Sequence, residues 1–280
     1  MIRASRVREF FATSPLACWG FAIALLLILA ALLAPWLAPQ PPSVQSLEQR
    51  LLPPAPQHLF GTDELGRDIL ARTLYGARIS LLVGFSVVLG AGLTGLAVGS
   101  VAGYFGGWFD RLLNVLLINA FLSFPGILLA IAFAAFLGPG LDKVILALVI
   151  TGWAGYARLA RAQVLKLKEL EFVLAARSLG ASHTRILVRH LIPNSLAPVI
   201  VAATLTVGGA ILSEAALSFL GIGIQPPTPS WGNMLQNAQD FIWTTPWLAI
   251  WPGAMIFLTV LCFNFLGDGL RDALDPRLKI

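Results

Sequence analysis

Six apolar stretches, separated by polar segments, constrain this 280-residue chain more than any other feature of its sequence. A bilayer core of about 30 Å is crossed by about 20 apolar residues in a helix. We therefore predict an all-α integral membrane protein with six transmembrane helices. The stretches cover residues 16–38, 79–102, 112–137, 144–156, 196–220 and 247–267.

Two of these stretches are open to a second interpretation. The first follows Arg3, Arg6 and Arg8, as a cleaved signal peptide would, but its apolar run is too long for the core of such a peptide. We interpret it as a membrane anchor. The fourth is short, and Arg158 and Arg161 follow it closely, so its helix is expected to continue into the headgroup region.

The composition excludes the main alternatives to a membrane protein. Hydrophobic residues make up 57% of the chain and charged residues 12%, whereas soluble domains average about 45–50% and about 25%. A soluble enzyme would lack the polar surface that it needs. Intrinsic disorder is excluded because so apolar a chain buries enough surface to offset its ordering entropy.

The positive charges predict the orientation of the helices. If the amino terminus is cytoplasmic, 14 of the 19 Lys and Arg residues fall in inner segments and 5 in outer segments. This bias places both termini in the cytoplasm, residues 39–78 and 221–246 outside and residues 158–195 inside. The net charge of +5 then reflects the cytoplasmic bias, and no nucleic-acid partner is predicted.

Three features lie inside the predicted spans. A stripe of small residues, Ala91, Gly95, Gly99 and Gly103, predicts close packing against another helix. Pro125 lies within the third span and predicts a kink, which is either a static bend or a hinge. Glu214 is the one acid inside a span. It is a candidate for a transport-pathway contact, for a group solvated in an outer vestibule or for a helix contact.

Catalytic and metal-binding patterns are missing from the sequence. The three histidines, His58, His183 and His190, do not occur at ligand spacing within one span. The chain also lacks the P-loop pattern of nucleotide-binding proteins. We therefore expect neither a catalytic site nor a metal or other cofactor in this chain.

The long inner segment contains a predicted helical hairpin. Apolar residues recur at helical intervals from Phe172 onwards, Gly180 interrupts them and Pro193 ends them. The small residues Ala175 and Ala176 beside Arg177 would fit the groove of a partner protein. An amphipathic hairpin lying on the bilayer is the alternative.

This hairpin resembles the EAA loop of the permease subunits of bacterial ABC importers. The resemblance rests on Ala175 and Ala176, on Gly180 and on Pro193, although Leu174 stands where the family has glutamate. It implies that the loop seats in a groove of a cytoplasmic ATPase. The residues to which it assigns this coupling are Leu174, Ala175, Ala176, Arg177, Gly180, Ala181 and Pro193.

Two further segments are similar to one branch of that family, the dipeptide, oligopeptide and nickel permeases. Residues 58–81 (HLFGTDELGRDILARTLYGARISL) match its outer signature. Residues 219–235 (FLGIGIQPPTPSWGNML), together with residues between 263 and 276, match its carboxyl end. The outer motif comprises Gly61, Thr62, Asp63, Gly66, Arg67 and Asp68. Its alternating charges either brace the loop through exposed ion pairs or contact a sister permease or a binding protein.

The resemblance implies a type I (MetI-like) ABC importer permease fold in the bacterial inner membrane. Residues 1–75 would form an amino-terminal tail, the first helix and a periplasmic segment. Residues 76–270 would form the transmembrane domain, with a coupling loop at about 163–195, and residues 271–280 a cytoplasmic tail. Implied partners are a sister permease, two ATPase subunits that bind ATP and Mg²⁺, an external solute-binding protein and membrane lipid.

Peptides are the substrates that the resemblance favours, and nickel or a metal chelate is the alternative within the same importer class. A secondary transporter or channel is the alternative from a different class. It would be expected to show ionisable groups along the membrane midplane or an inverted repeat. The sequence contains one acid within its spans and no such repeat.

Overall fold

The computed structural model of the chain describes residues 15–274 and is mostly helical. The predicted tail residues before 15 and after 274, including Arg3, Arg6 and Arg8, lie outside the described residues. The α-helices are α1 (Pro15–Leu32), α2 (Ala34–Leu37), α3 (Ile69–Phe105), α4 (Gly107–Arg111), α5 (Asn119–Ser123), α6 (Gly126–Leu137), α7 (Leu141–Leu167), α8 (Glu171–Ser178), α9 (His183–Ile186), α10 (Ile192–Phe219), α11 (Trp231–Ala238) and α12 (Trp247–Leu274). Two π-helical turns, Leu112–Ile118 and Leu187–Leu191, join α4 to α5 and α9 to α10.

Within residues 15–274, five helical segments are long and apolar enough to cross a membrane. These are α1, α3, α7, the continuous segment from α9 to α10, and α12. Residues 107–123 and α6 pass the same test together and, counted as one span, form a broken sixth. The prediction of six spans is therefore confirmed, with the third span broken. Helix α7 continues to Leu167, as the sequence predicted for the fourth span.

The third span is not one kinked helix, because its two halves meet at 90°. Proline has no N–H to donate and disfavours the helical conformation of the residue before it. Accordingly, α5 ends at Ser123, Phe124 is extended and Pro125 precedes the first residue of α6. The predicted disruption at Pro125 is confirmed, but the helix ends and restarts there, whereas the sequence predicted only a kink.

Helices α3 and α7 pack together along the predicted stripe of small residues. A Cβ atom added to Gly95, Gly99 or Gly103 would lie 2.5, 2.1 or 2.8 Å from the carbonyl oxygen of Trp153, Ala157 or Arg161. The two backbones are thus in direct contact, as small residues permit in membranes, where apolar side chains gain little by leaving lipid.

Helix α1 belongs to the helical bundle. Its residues Ala24, Leu27 and Ala31 are buried in one cluster with Cys262 and Phe263 of α12. An added Cβ at Gly20 would lie 2.8 Å from the carbonyl oxygen of Cys262. This packing supports the membrane-anchor interpretation of the first apolar stretch.

Exposed tryptophans mark two ends of the bundle. Trp19 and Trp108 lie at the end of the bundle that the charges predict to be inner, and Trp36 and Trp243 lie at the opposite end. Their side chains are between 66% and 94% exposed. Tryptophan concentrates at membrane–water interfaces. The rise from Trp19 to Trp36 corresponds to about 25 Å of helix, close to the thickness of the hydrocarbon core.

Candidate functional site

The inner hairpin adopts the predicted helix–glycine–helix geometry. Gly180 follows α8 with a φ of +79°, a left-handed conformation that glycine adopts without steric cost. Its N–H donates to the carbonyl of Arg177, and the N–H of Ala181 donates to that of Ala176, each at 3.0 Å. These two bonds form a Schellman motif, which ends α8 and redirects the chain towards α9.

One face of the hairpin packs beneath the helical bundle. Val173, Ile186, Leu187 and Leu191 are buried in a cluster that includes Val164 of α7 and Tyr104 near the end of α3. The hairpin is therefore in contact with the two helices that share the glycine stripe.

The opposite face of the hairpin carries most of the residues assigned to coupling. Leu174, Ala175, Arg177, Gly180 and Pro193 are exposed, and Ala176 and Ala181 are half-buried. Leu174 is 43% exposed, and the nearby Leu179 is 88% exposed. Pro193 is set apart from the others in the first turn of α10. Apart from Pro193, these residues lie along a largely exposed surface that includes the apolar side chains of Leu174 and Leu179.

Polar contacts connect the hairpin to the inner end of α3, and connect α7 to α3 and α4. The Tyr104 hydroxyl and His183 Nδ1 lie 2.7 Å apart, and Lys168 Nζ donates to the carbonyl of Gly103 at 3.1 Å. The guanidinium of Arg161 donates to both carboxylate oxygens of Asp110, at 2.6 Å each. These contacts link α3, α4, α7 and the hairpin.

Sequence reasoning missed the Asp110–Arg161 pair, since 51 residues separate its members. The only sequence signal for this pair is indirect, because the glycine stripe brings the inner ends of α3 and α7 together.

We expect Asp110→Asn to destabilise the protein by about 1.5 kcal/mol, since hydrogen bonds to charged groups contribute about that much. The melting temperature of the purified protein should fall by about 3–6 °C.

Exchanging the two charges, Asp110→Arg with Arg161→Asp, should recover part of that loss. Lys166→Gln, at an exposed position of α7, is the control for removing a charge alone. An exchange variant that melts no higher than Asp110→Asn would contradict an ion pair at this position.

The six residues of the outer motif are all buried within the chain. The Asp63 carboxylate accepts hydrogen bonds from the backbone N–H groups of Leu65 and Arg67, both at 2.9 Å, and from Arg67 Nε at 2.6 Å. Arg72 Nε lies 3.5 Å from the same carboxylate. The sequence led us to expect exposed ion pairs, but the fold encloses them between the loop and the start of α3.

The other motif residues fix the path of this loop. Asp68 caps α3 by accepting from the N–H of Ala71 at 2.8 Å, and its second oxygen lies 2.9 Å from His58 Nδ1. Thr62 accepts from the N–H of Leu52. At Gly66, whose φ is +71°, an added Cβ would lie 1.8 Å from the carbonyl oxygen of Ser46. The motif therefore braces the loop from within.

Glu64 extends this buried cluster. Arg67 Nη2 donates to its carboxylate at 2.7 Å and Asn237 Nδ2 at 3.1 Å, so the cluster also holds α11. Burial raises the pKa of Glu64, and the neighbouring Asp63 carboxylate raises it further. A hydrogen bond between a carboxylate and a side-chain amide thereby joins the two outer segments.

Glu214 connects α3 to α10. Its side chain is fully buried. Ser218 donates to the carboxylate at 2.7 Å and Ser80 at 3.4 Å. Among residues 15–274 no cation lies within ion-pairing distance of Glu214. Of the three environments considered from the sequence, the geometry is that of a helix contact.

A cavity of about 300 Å³ lies where the broken third span meets α3, α7 and α10. Four residues that carry a hydroxyl line it among otherwise apolar residues and glycines: Thr151, Tyr156, Thr206 and Ser213. The hydroxyls of Tyr156 and Thr206 lie 2.7 Å apart and join α7 to α10. The seven-residue spacing of Thr206 and Ser213 places both on one face of α10, a signal that sequence reasoning did not use.

Comparison with known protein families gives two matches to this chain. Residues 95–280 match the family described as binding-protein-dependent transport system inner membrane component. Residues 5–54 match the family described as the N-terminal TM domain of oligopeptide transport permease C.

Similar curated proteins cover nearly the whole chain. The dipeptide transport system permease protein DppC of Alkalihalophilus pseudofirmus is 48% identical over 94% of this chain and 86% of its own length. The di/tripeptide permease DppC of Pseudomonas aeruginosa is 43% identical, with coverage of 100% and 95%. The glutathione permease GsiD of Escherichia coli is 46% identical, with coverage of 91% and 84%.

A solved structure shares the fold. A chain of the MetNI methionine ABC transporter, in inward-facing conformations, aligns with a TM-score of 0.59 at 19% identity. The alignment covers 73% of this chain and 97% of that chain. The predicted MetI-like permease fold is thus confirmed.

Proposed function

Because this chain belongs to the family of binding-protein-dependent transport system inner membrane components, we propose that it is the permease subunit through which an ATP-driven importer carries di- or oligopeptides. The observation that carries this proposal is the 48% identity to a dipeptide permease over 94% of the chain. ATP and Mg²⁺ would bind on separate ATPase subunits, and a solute-binding protein would deliver the peptide.

We propose that the inner hairpin transmits the movement of the ATPases. Its exposed face, with Leu174, Ala175 and Arg177, is accessible to a groove on another protein. Its buried face contacts α3 and α7, so a displacement of the hairpin would displace those helices. Alternating access then follows as a shift between inward-open and outward-open populations. Residues 76–270 would move as the transport domain, while residues 1–75 would anchor it.

We propose that the 300 Å³ cavity forms part of the peptide pathway. The hydroxyls of Thr151, Thr206 and Ser213 donate to carbonyls of their own helices, and their oxygens can still accept from the N–H groups of a peptide main chain, whatever its side chains are. Such a lining supports transport of varied peptides, with selection left to the binding protein. The cavity also borders the break in the third span, where two helix segments can change their relative angle.

Tyr156→Phe and Thr206→Val should each lower peptide uptake without lowering ATP hydrolysis. Each variant removes one hydroxyl worth about 1 kcal/mol as a hydrogen-bonding group, so uptake should fall about threefold to tenfold. Thr204→Val is the matched control, since the Thr204 hydroxyl donates to its own helix at Ile200 as that of Thr206 does at Ala202, but Thr204 does not line the cavity. An equal loss of peptide uptake in Thr204→Val would contradict a peptide pathway through this cavity, and so would unchanged uptake in both cavity variants.

The partner subunits can be identified by purification. A tag on this chain, mild detergent extraction and mass spectrometry should recover a second permease and P-loop ATPases. Recovery of the chain alone or only with copies of itself, in several detergents, would contradict the importer assembly. We further propose that both termini are cytoplasmic in a bacterial inner membrane, which a carboxyl-terminal fluorescent or phosphatase fusion tests directly.

A further inference from the structure

A second cavity, of about 660 Å³, lies at the outer end of the bundle between α1 and α3. Most of its lining is apolar and belongs to these two membrane-crossing helices, and outer-loop residues form the rest. The helical lining consists of Ile28, Ala31 and Leu32 of α1 and of Tyr75, Arg78, Ile79, Leu81, Leu82 and Phe85 of α3. The loop lining consists of Pro42, Ser43, Pro227, Thr228 and Pro229.

Arg78 supplies the one formal charge in this lining. Its side chain is exposed, and its guanidinium carbon lies 5.8 Å from the centre of the Tyr75 ring. Among residues 15–274, no carboxylate lies within ion-pairing distance of Arg78. A cation at the edge of an apolar cavity is therefore left without an anion from the described part of the chain.

The position of Arg78 along α3 gives its depth in the membrane. The 27 residues from Arg78 to Phe105, at the inner end of α3, rise by about 40 Å. A hydrocarbon core is about 30 Å thick and a bilayer with headgroups about 40–45 Å. Arg78 thus lies at the level of the outer headgroups, while Leu82 and Phe85 lie about 6 and 10 Å deeper, at the level of the acyl chains.

We propose that this cavity binds an anionic phospholipid of the outer leaflet. The phosphate would pair with Arg78, and an acyl chain would occupy the apolar space between α1 and α3. The charge of Arg78 and its depth favour this occupant over a second membrane helix, whose apolar side chains would leave the guanidinium without a counter-charge. The proposal depends on the membrane-spanning fold and not on the substrate.

Lipid retention tests the proposal. The protein, purified through its tag with any accompanying subunits, is equilibrated with equal amounts of phosphatidylglycerol and phosphatidylcholine, and retained lipid is quantified by mass spectrometry. The unchanged protein should retain an excess of phosphatidylglycerol. Arg78→Gln should reduce that excess about fivefold, as expected for one basic residue at an anionic headgroup. Arg50→Gln, which removes an exposed outer-loop charge, should leave it unchanged.

A second variant tests the contribution of the cavity's space independently of the charge of Arg78. Ser43→Trp would fill part of the cavity while keeping Arg78, and it should lower the retention of both lipids. Equal retention of the two lipids by the unchanged protein would overturn the proposal. It would also be overturned if Ser43→Cys formed cross-links to another protein subunit, because that result would place a protein in the cavity.

Discussion

Peptide uptake should be abolished when Gly180 is replaced by proline, while the protein remains inserted in the membrane. Gly180 has a φ of +79°, and its N–H donates to the carbonyl of Arg177. Proline fixes φ near −65° and has no N–H, so the variant cannot form the turn between α8 and α9. The exposed face of the hairpin would lose its orientation relative to α3 and α7, and ATP hydrolysis would be uncoupled from uptake.

The matched control is Gly180→Asn, because asparagine tolerates the left-handed conformation better than other non-glycine residues. No atom lies within 4 Å of an added Cβ at this position, so steric collision does not confound the comparison. Uptake, ATPase activity and membrane content should be measured for all three proteins. Normal uptake by the proline variant would contradict the proposed role of the hairpin.

A single methyl group added at Gly99 should destabilise the bundle severely. The Cβ of Gly99→Ala would lie 2.1 Å from the carbonyl oxygen of Ala157 and 2.8 Å from its carbonyl carbon. Backbone atoms cannot move aside as a flexible side chain can, so α3 and α7 must separate along their contact. We expect a loss of about 3 kcal/mol, the upper part of the usual range for overpacking, and a fall in melting temperature of about 6–12 °C.

Gly155→Ala adds the same methyl group to α7 where no atom lies within 4 Å of it. This control should match or slightly exceed the stability of the unchanged protein, since alanine is favoured over glycine inside a helix. Melting curves of the purified proteins in one detergent provide the comparison. Similar melting temperatures for the two variants would show that the close approach of α3 and α7 does not govern stability.

The helical elements were predictable because their signals are local in the sequence. Runs of apolar residues identified the spans, small residues at four-residue spacing identified the face that α3 presents to α7, and Gly180 identified the turn of the hairpin. The predicted importer-permease family and fold are confirmed by the comparisons. The assignment of individual coupling residues and the division of the chain into domains stay predictions.

The contacts of the functional regions were not predictable because they join distant parts of the chain. The charges of the outer motif could be seen, but not that Asp63, Arg67 and Arg72 would be buried together. Glu214 could be identified as an intramembrane acid, but its partner Ser80 is 134 residues away. Pro125 indicated a disruption of the third span, but not that its two halves would meet at 90°.

The most direct test of the account is uptake of a labelled dipeptide into proteoliposomes that contain the purified complex and its solute-binding protein. ATP-driven import predicts uptake that requires ATP and Mg²⁺ and that persists when ion gradients are dissipated. Unlabelled peptides should compete with the labelled one. Uptake that follows an imposed ion gradient and is indifferent to ATP would contradict the account and would identify the protein as a secondary transporter or a channel.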